Sequence, residues 1–207
     1  MRATRVIVST LGVALAASGM VHGYLEVVHG NTSTGGLLLG SVGAFTVIPN
    51  YLITGVTALL VSLAIVIWTI GFIDRPRGPH VFILLSVLLL LVGGGVAQVV
   101  FFMLAWALST RIGKPLSWWR RSLPDGFRES LARAWIWLFT ACMALFAVAV
   151  EIWLVKWVPG VSSPTEKVHI CWVFLVAGLG VLLVDVVAGF AHDLERPTDP
   201  DAPQPAT

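Results

Sequence analysis

Five stretches of this chain, 6–25, 51–73, 81–108, 134–157 and 168–191, run as apolar segments of about twenty residues or more with almost no charge. A hydrocarbon core about 30 Å thick is crossed by roughly 20 helical residues at 1.5 Å each. In lipid every backbone amide must be bonded internally, so a spanning segment is a helix or part of a closed barrel. These runs lack the period-2 alternation of barrel strands, which selects helices. The sequence therefore predicts an all-α, multi-pass transmembrane helical bundle of five spans within residues 1–192.

Composition agrees. Charged residues are 12% and hydrophobic residues 57% of the chain, about half the charge of a soluble domain. The net charge of +2 is small and its basic residues lie in loops, which argues against nucleic acid as a partner. The expected partner is the lipid bilayer, with a second copy or another membrane protein as further candidates. Most tryptophans, such as Trp68, Trp106, Trp135, Trp153 and Trp172, fall near span ends, where indole rings favour the headgroup level. Cys142 and Cys171 sit in apolar segments without C-x-x-C spacing and read as small buried hydrophobes.

Residues 1–23 have the basic start and small residues of a signal peptide. The apolar run continues through Val21 toward Leu25 and further spans follow, which favours a retained first helix. The tail 193–207 carries four prolines and four acidic residues against one arginine; it is expected to be disordered. Asn31-Thr32-Ser33 is a glycosylation sequon that matters only in a secretory pathway.

Two segments decide the topology. Residues 35–49 are apolar but short, rich in glycine and stopped by Pro49-Asn50, and read as a re-entrant element, an interfacial helix or a sixth crossing. Within 81–108, Gly93, Gly94 and Gly95 mark a point of tilt or bend and allow close backbone approach. With five crossings and Arg2 and Arg5 inside, the loop with Arg111, Lys114, Arg120, Arg121, Arg128 and Arg133 would face outward, against the positive-inside tendency. A sixth crossing, or an outward N-terminus, returns that loop to the cytoplasm. Six crossings leave Arg75, Arg77, Lys156 and Lys167 on the other side. Either way loop 109–133 and the tail are expected to be cytoplasmic in a cell membrane. Within the loop, Trp118, Trp119, Arg120 and Arg121 suit an anionic lipid headgroup, and 127–133 reads as a short interfacial helix.

Polar groups at membrane depth are costly and are therefore functional candidates. His22, Glu26 and His29 share one helical face at spacings of four and three, as a metal site or proton relay would need, or as the solvated end of a helix would allow. Glu26 to His29 and Glu166 to His169 both have the Glu-x-x-His spacing of carboxylate-bridged dimetal bundles, with Glu151 as a further donor. Glu151 and Asp185 could line an ion or proton pathway. Asp185 could equally make an interhelical hydrogen bond, with Gln98 and Thr54 as partners. No cofactor is required by the sequence. These residues leave three functions open: a binding or accessory membrane protein, a proton- or ion-linked carrier of small molecules, and a metal-dependent membrane enzyme.

Overall fold

The computed structural model describes residues 2–39 and 44–195, and the chain divides into two compact units, Ala3–Pro115 and Leu116 onward. Each is described by itself. The fold is all-α, and four helices are long and apolar enough to cross a membrane.

In the first unit, α1 (Ala3–Val28) and α2 (Tyr51–Gly71) form an antiparallel pair. Small residues set their separation. A Cβ added at Gly55 would lie 2.6 Å from the Gly23 carbonyl oxygen, and Gly12 and Gly19 meet Thr69 and Ser62 in the same register. Van der Waals packing through small residues is what holds helices together where lipid removes the hydrophobic drive. Asn50 starts α2: its side chain accepts from the Ile53 N–H at 3.1 Å, relieving one of the amides a helix start leaves open. At the opposite end, Arg5 pairs with Asp74 at 3.5 Å and donates to the Ile70 carbonyl at 3.4 Å, tying the start of α1 to the turn after α2.

The described residues of 35–49 form no sixth helix. The described part makes two short strands, β1 (Leu38–Leu39) and β2 (Ala44–Thr46). They are joined antiparallel to a third strand that comes from the middle of the third apolar stretch.

That third stretch, expected as one continuous span over 81–108, is broken. α3 (Gly78–Leu91) gives way to β3 (Val92–Gly95), a single 3₁₀ turn (Val96–Gln98) and α4 (Val99–Ser109). The glycine triplet does more than bend the helix. Gly93 has φ +106, a backbone conformation that side-chain-bearing residues rarely adopt, and β3 bonds to β2 instead of continuing α3. Successive contacts show the chain reversing: Gly93 faces Glu26, Gly95 faces His22, and Gln98 bonds Ser18, stepping back down α1. Phe102 then meets Phe82 at 5.9 Å between ring centres. α3 and α4 are thus two half-length helices that enter and return from the same end of the unit.

The second unit consists of α5 (Ser117–Ser122), α6 (Asp125–Val155) and α7 (Pro164–Glu195). The expected interfacial helix at 127–133 is the opening of α6, which follows Pro124. Lys156 ends α6 in a left-handed conformation, φ 53, and Pro164 begins α7, where a missing N–H costs nothing. The pair is antiparallel. The Cys142 thiol donates to the Gly178 carbonyl at 3.6 Å and the Cys171 thiol to the Ala149 carbonyl at 3.4 Å, and both cysteines are free and buried. α7 runs through Glu195, which pairs with Arg128, so 193–195 of the expected disordered tail are helical; 196–207 lie outside the described residues.

Candidate functional site

One stripe of α1 carries a buried carboxylate, Glu26, together with the half-buried Ser18 and His22. Ser18, His22 and Glu26 recur every fourth residue, so they stack on a single face, and that face meets the returning segment 93–98. Glu26 is fully buried, 0% exposed, although it lies near the helix end where a solvated position was the simpler expectation. Its surroundings explain the burial. Gly93 stands directly over the carboxylate, so close that an added Cβ would collide with both Oε atoms, and a Cβ on Gly95 would lie 2.5 Å from His22 Nε2. Only residues without side chains leave room for these two groups.

Neither carboxylate oxygen of Glu26 has a hydrogen-bond partner among the described residues. Gln98 donates its Nε2 to Ser18 Oγ at 2.8 Å, while its own Oε1 is buried without a partner among the described residues. Nearby, Thr46 on β2 and Thr54 on α2 share a hydrogen bond of 2.6 Å. The arrangement is a buried carboxylate and amide oxygen beside an extended, glycine-rich backbone. Oxygen donors of this kind suit a proton or a small hard cation. Irregular backbone at membrane depth is tolerated where it is covered by protein or lines a cavity, and broken helices with such a break carry ion sites in many carriers.

His29 does not join this face. It lies beyond the last turn of α1, exposed, with Nδ1 at 2.7 Å from the Leu25 carbonyl and its ring stacked on Tyr51 at 4.7 Å. Glu166 and His169, the other Glu-x-x-His pair, are exposed at the start of α7 in the second unit. Among the described residues no three His, Cys, Asp or Glu side chains gather as a metal shell would need.

Asp185 is fully buried on the stripe of α7 that faces α6, and both its oxygens lack a partner among the described residues. Gln98 and Thr54, its candidate partners, are committed to Ser18 and Thr46 in the first unit. Glu151 is exposed on α6. The register that sets Cys171 beside Ala149 puts Glu151 at the far end of the pair from Asp185, about 24 Å along the helices, so the pair does not assemble one pathway from these two acids. His192, a turn or two beyond Asp185, packs on Trp135 at 4.9 Å.

The headgroup candidates lie on and around α5. Trp119 packs on Phe190 at 5.3 Å and edge-on against Trp118 at 4.8 Å, while Trp118, Arg120 and Arg121 are exposed. What sequence reasoning missed is the glycine backbone that covers Glu26. The signal was the glycine triplet, which registers as a weak point in a helix and carries no mark of the side chain it will face.

Comparison with known proteins returns no match: no family model, no curated protein and no solved structure resembles the chain. The class is therefore defined by the fold alone, a helical bundle with the apolar helices of a membrane protein.

Proposed function

We propose that this chain is a multi-pass membrane protein of the binding type, in which Glu26 takes up a proton or a small hard cation at the tip of the α3–α4 hairpin. One observation carries the reading: a carboxyl group fully buried, with no hydrogen-bond donor on either oxygen among the described residues, set against backbone that has been stripped of side chains to approach it. An isolated carboxylate in such a place is costly, so the group must hold a proton or a counter-ion. Gln98 Oε1, on the returning segment that bonds Ser18 of this stripe, is a second oxygen donor. A carrier linked to that ion is a special case of this reading, and the paired half-helices favour it over the metal-dependent enzyme.

The test uses purified protein. Thermal unfolding is followed in a panel of Na⁺, K⁺, Mg²⁺ and Ca²⁺ at constant ionic strength. A cation that binds the native state at 100 times its Kd stabilises it by about 2.7 kcal/mol. One ion of the panel is expected to raise the Tm of the parent and to have no such effect on Glu26→Gln. If no ion acts on the parent, proton uptake and release on the parent and Glu26→Gln is measured, and a difference of one proton identifies the occupant. The absence of both an ion effect and a proton difference would overturn the reading.

The hairpin also supports an orientation. Arg5 lies with Asp74 at the end of the unit from which α3 starts, and α4 returns toward that end. If α1, α2, α6 and α7 cross and the third stretch does not, Arg2, Arg5, Arg75, Arg77 and loop 109–133 share one face, leaving Lys156 and Lys167 on the other. That distribution satisfies the positive-inside tendency without a sixth crossing or an outward N-terminus. The basic face is accordingly the cytoplasmic one, and the sites of Trp118, Trp119, Arg120 and Arg121 face its headgroups.

A further inference from the structure

At the end of the α6–α7 pair away from Arg128, the two helices flank a groove of about 400 Å³, within the range of ligand pockets. Its walls are apolar, formed by Ile152, Val168, Trp172 and Leu175, and two lysines, Lys156 and Lys167, stand at its helix-end margin. The lysines come from different helices. Lys156 is the left-handed residue that ends α6, and Lys167 lies in the first turn of α7. Among the described residues neither forms an ion pair; the acids of this end, Glu151 and Glu166, are exposed and do not reach them. Indole rings at Trp153 and Trp172 also line the groove, as expected at headgroup level.

An apolar trough closed at one end by two uncompensated ammonium groups has the charge pattern of one kind of molecule, an amphiphile with an anionic head. We infer that the groove holds an anionic phospholipid of the bilayer, with one acyl chain along Ile152, Val168, Trp172 and Leu175 and its phosphate between Lys156 and Lys167. A zwitterionic lipid would satisfy the walls but bring its own cation toward the lysines. The inference is independent of Glu26.

The full-length protein, reconstituted in phosphatidylcholine nanodiscs, is exposed to a photoactivatable phosphatidylglycerol, and the crosslinked peptides are located. Labelling is expected within 152–175, displaced by unlabelled phosphatidylglycerol and not by phosphatidylcholine. The double variant Lys156→Asn, Lys167→Gln is expected to reduce that labelling about twenty-five-fold, since each basic group near an anionic lipid is worth roughly a factor of five. Asn is used at 156 because it tolerates the left-handed backbone. Labelling around 117–128 serves as an internal control for folding and should not change, and Lys156→Arg, Lys167→Arg should retain the parent's labelling. Equal labelling by a phosphatidylcholine probe, no loss in the double variant, or competition by free fatty acid alone would overturn the proposal.

Discussion

Glu26 in the first unit and Asp185 in the second are both fully buried, and neither carboxyl has a partner among the described residues, yet their surroundings differ. Glu26 faces backbone: the glycines of β3, a strand that ends α3 at a point where its apolar sequence would otherwise continue the helix. Asp185 sits on the regular buried stripe of an unbroken helix, with Leu182 and Gly189 on the same side, packed against α6. Breaking a helix at membrane depth forfeits backbone hydrogen bonds that must be remade elsewhere. The first unit remakes them by pairing β3 with β2 and so brings extended backbone to its acid, whereas the acid of the second lies on a helix that stays whole. On the function proposed above, the contrast separates a site from a packing residue.

The largest effect expected from breaking this contrast is at Gly93. Gly93→Ala must place a methyl group onto the Glu26 carboxylate and also adopt φ +106, which together cost about 3 kcal/mol or more. Folded yield by size exclusion and thermal unfolding should both fall sharply. Gly180→Ala in the second unit, where an added Cβ meets open space, should leave both unchanged. Restoring room with Glu26→Ala should recover only part of the loss, because the backbone strain remains. If Gly93→Ala unfolds like the parent, the close approach of β3 to α1 is wrong.

A smaller effect sharpens the comparison from the other side. Asp185→Leu replaces a buried acid that has no described partner by an apolar group of similar size, and such replacements are neutral or stabilising. It should keep the parent's ion response and change stability by no more than about 1 kcal/mol. Glu26→Leu should abolish the ion response. Denaturant unfolding of the two variants, with and without the stabilising ion, gives the comparison. Severe loss of folded protein in Asp185→Leu would show that Asp185 also serves a site.

The membrane class and the helices were legible because they rest on local properties. Apolar runs longer than a bilayer is thick are complete within each run, whereas the small residues that pair α1 with α2 act between positions far apart in the chain. The candidate site was legible in part. Spacing of four put His22 and Glu26 on one face, but it also enrolled His29, which falls beyond the last turn and stacks on Tyr51 instead. Hydropathy could not separate one long span from two half-helices, because the stretch through α3, β3 and α4 carries no charge and glycine interrupts it without making it polar. The reversal depends on β2, a segment some fifty residues earlier, and pairing at that range leaves no periodicity in either strand. The same long-range choice set the crossing number, and this is why residues 35–49 alone could not resolve the conflict over the basic loop.

If the third apolar stretch enters and returns from one face, as proposed, cysteines at its two ends lie on the same side of the membrane. Single cysteines replace Arg75, before α3, and Lys114, after α4, in a background with Cys142 and Cys171 changed to Ala. Labelling by a membrane-impermeant maleimide is compared between intact cells and inverted vesicles. Both positions are expected to react only in inverted vesicles, while a cysteine at Ser162, in the α6–α7 turn, is expected to react only in intact cells. Labelling of Arg75→Cys and Lys114→Cys from opposite sides would mean that the stretch crosses, and would contradict the proposed return.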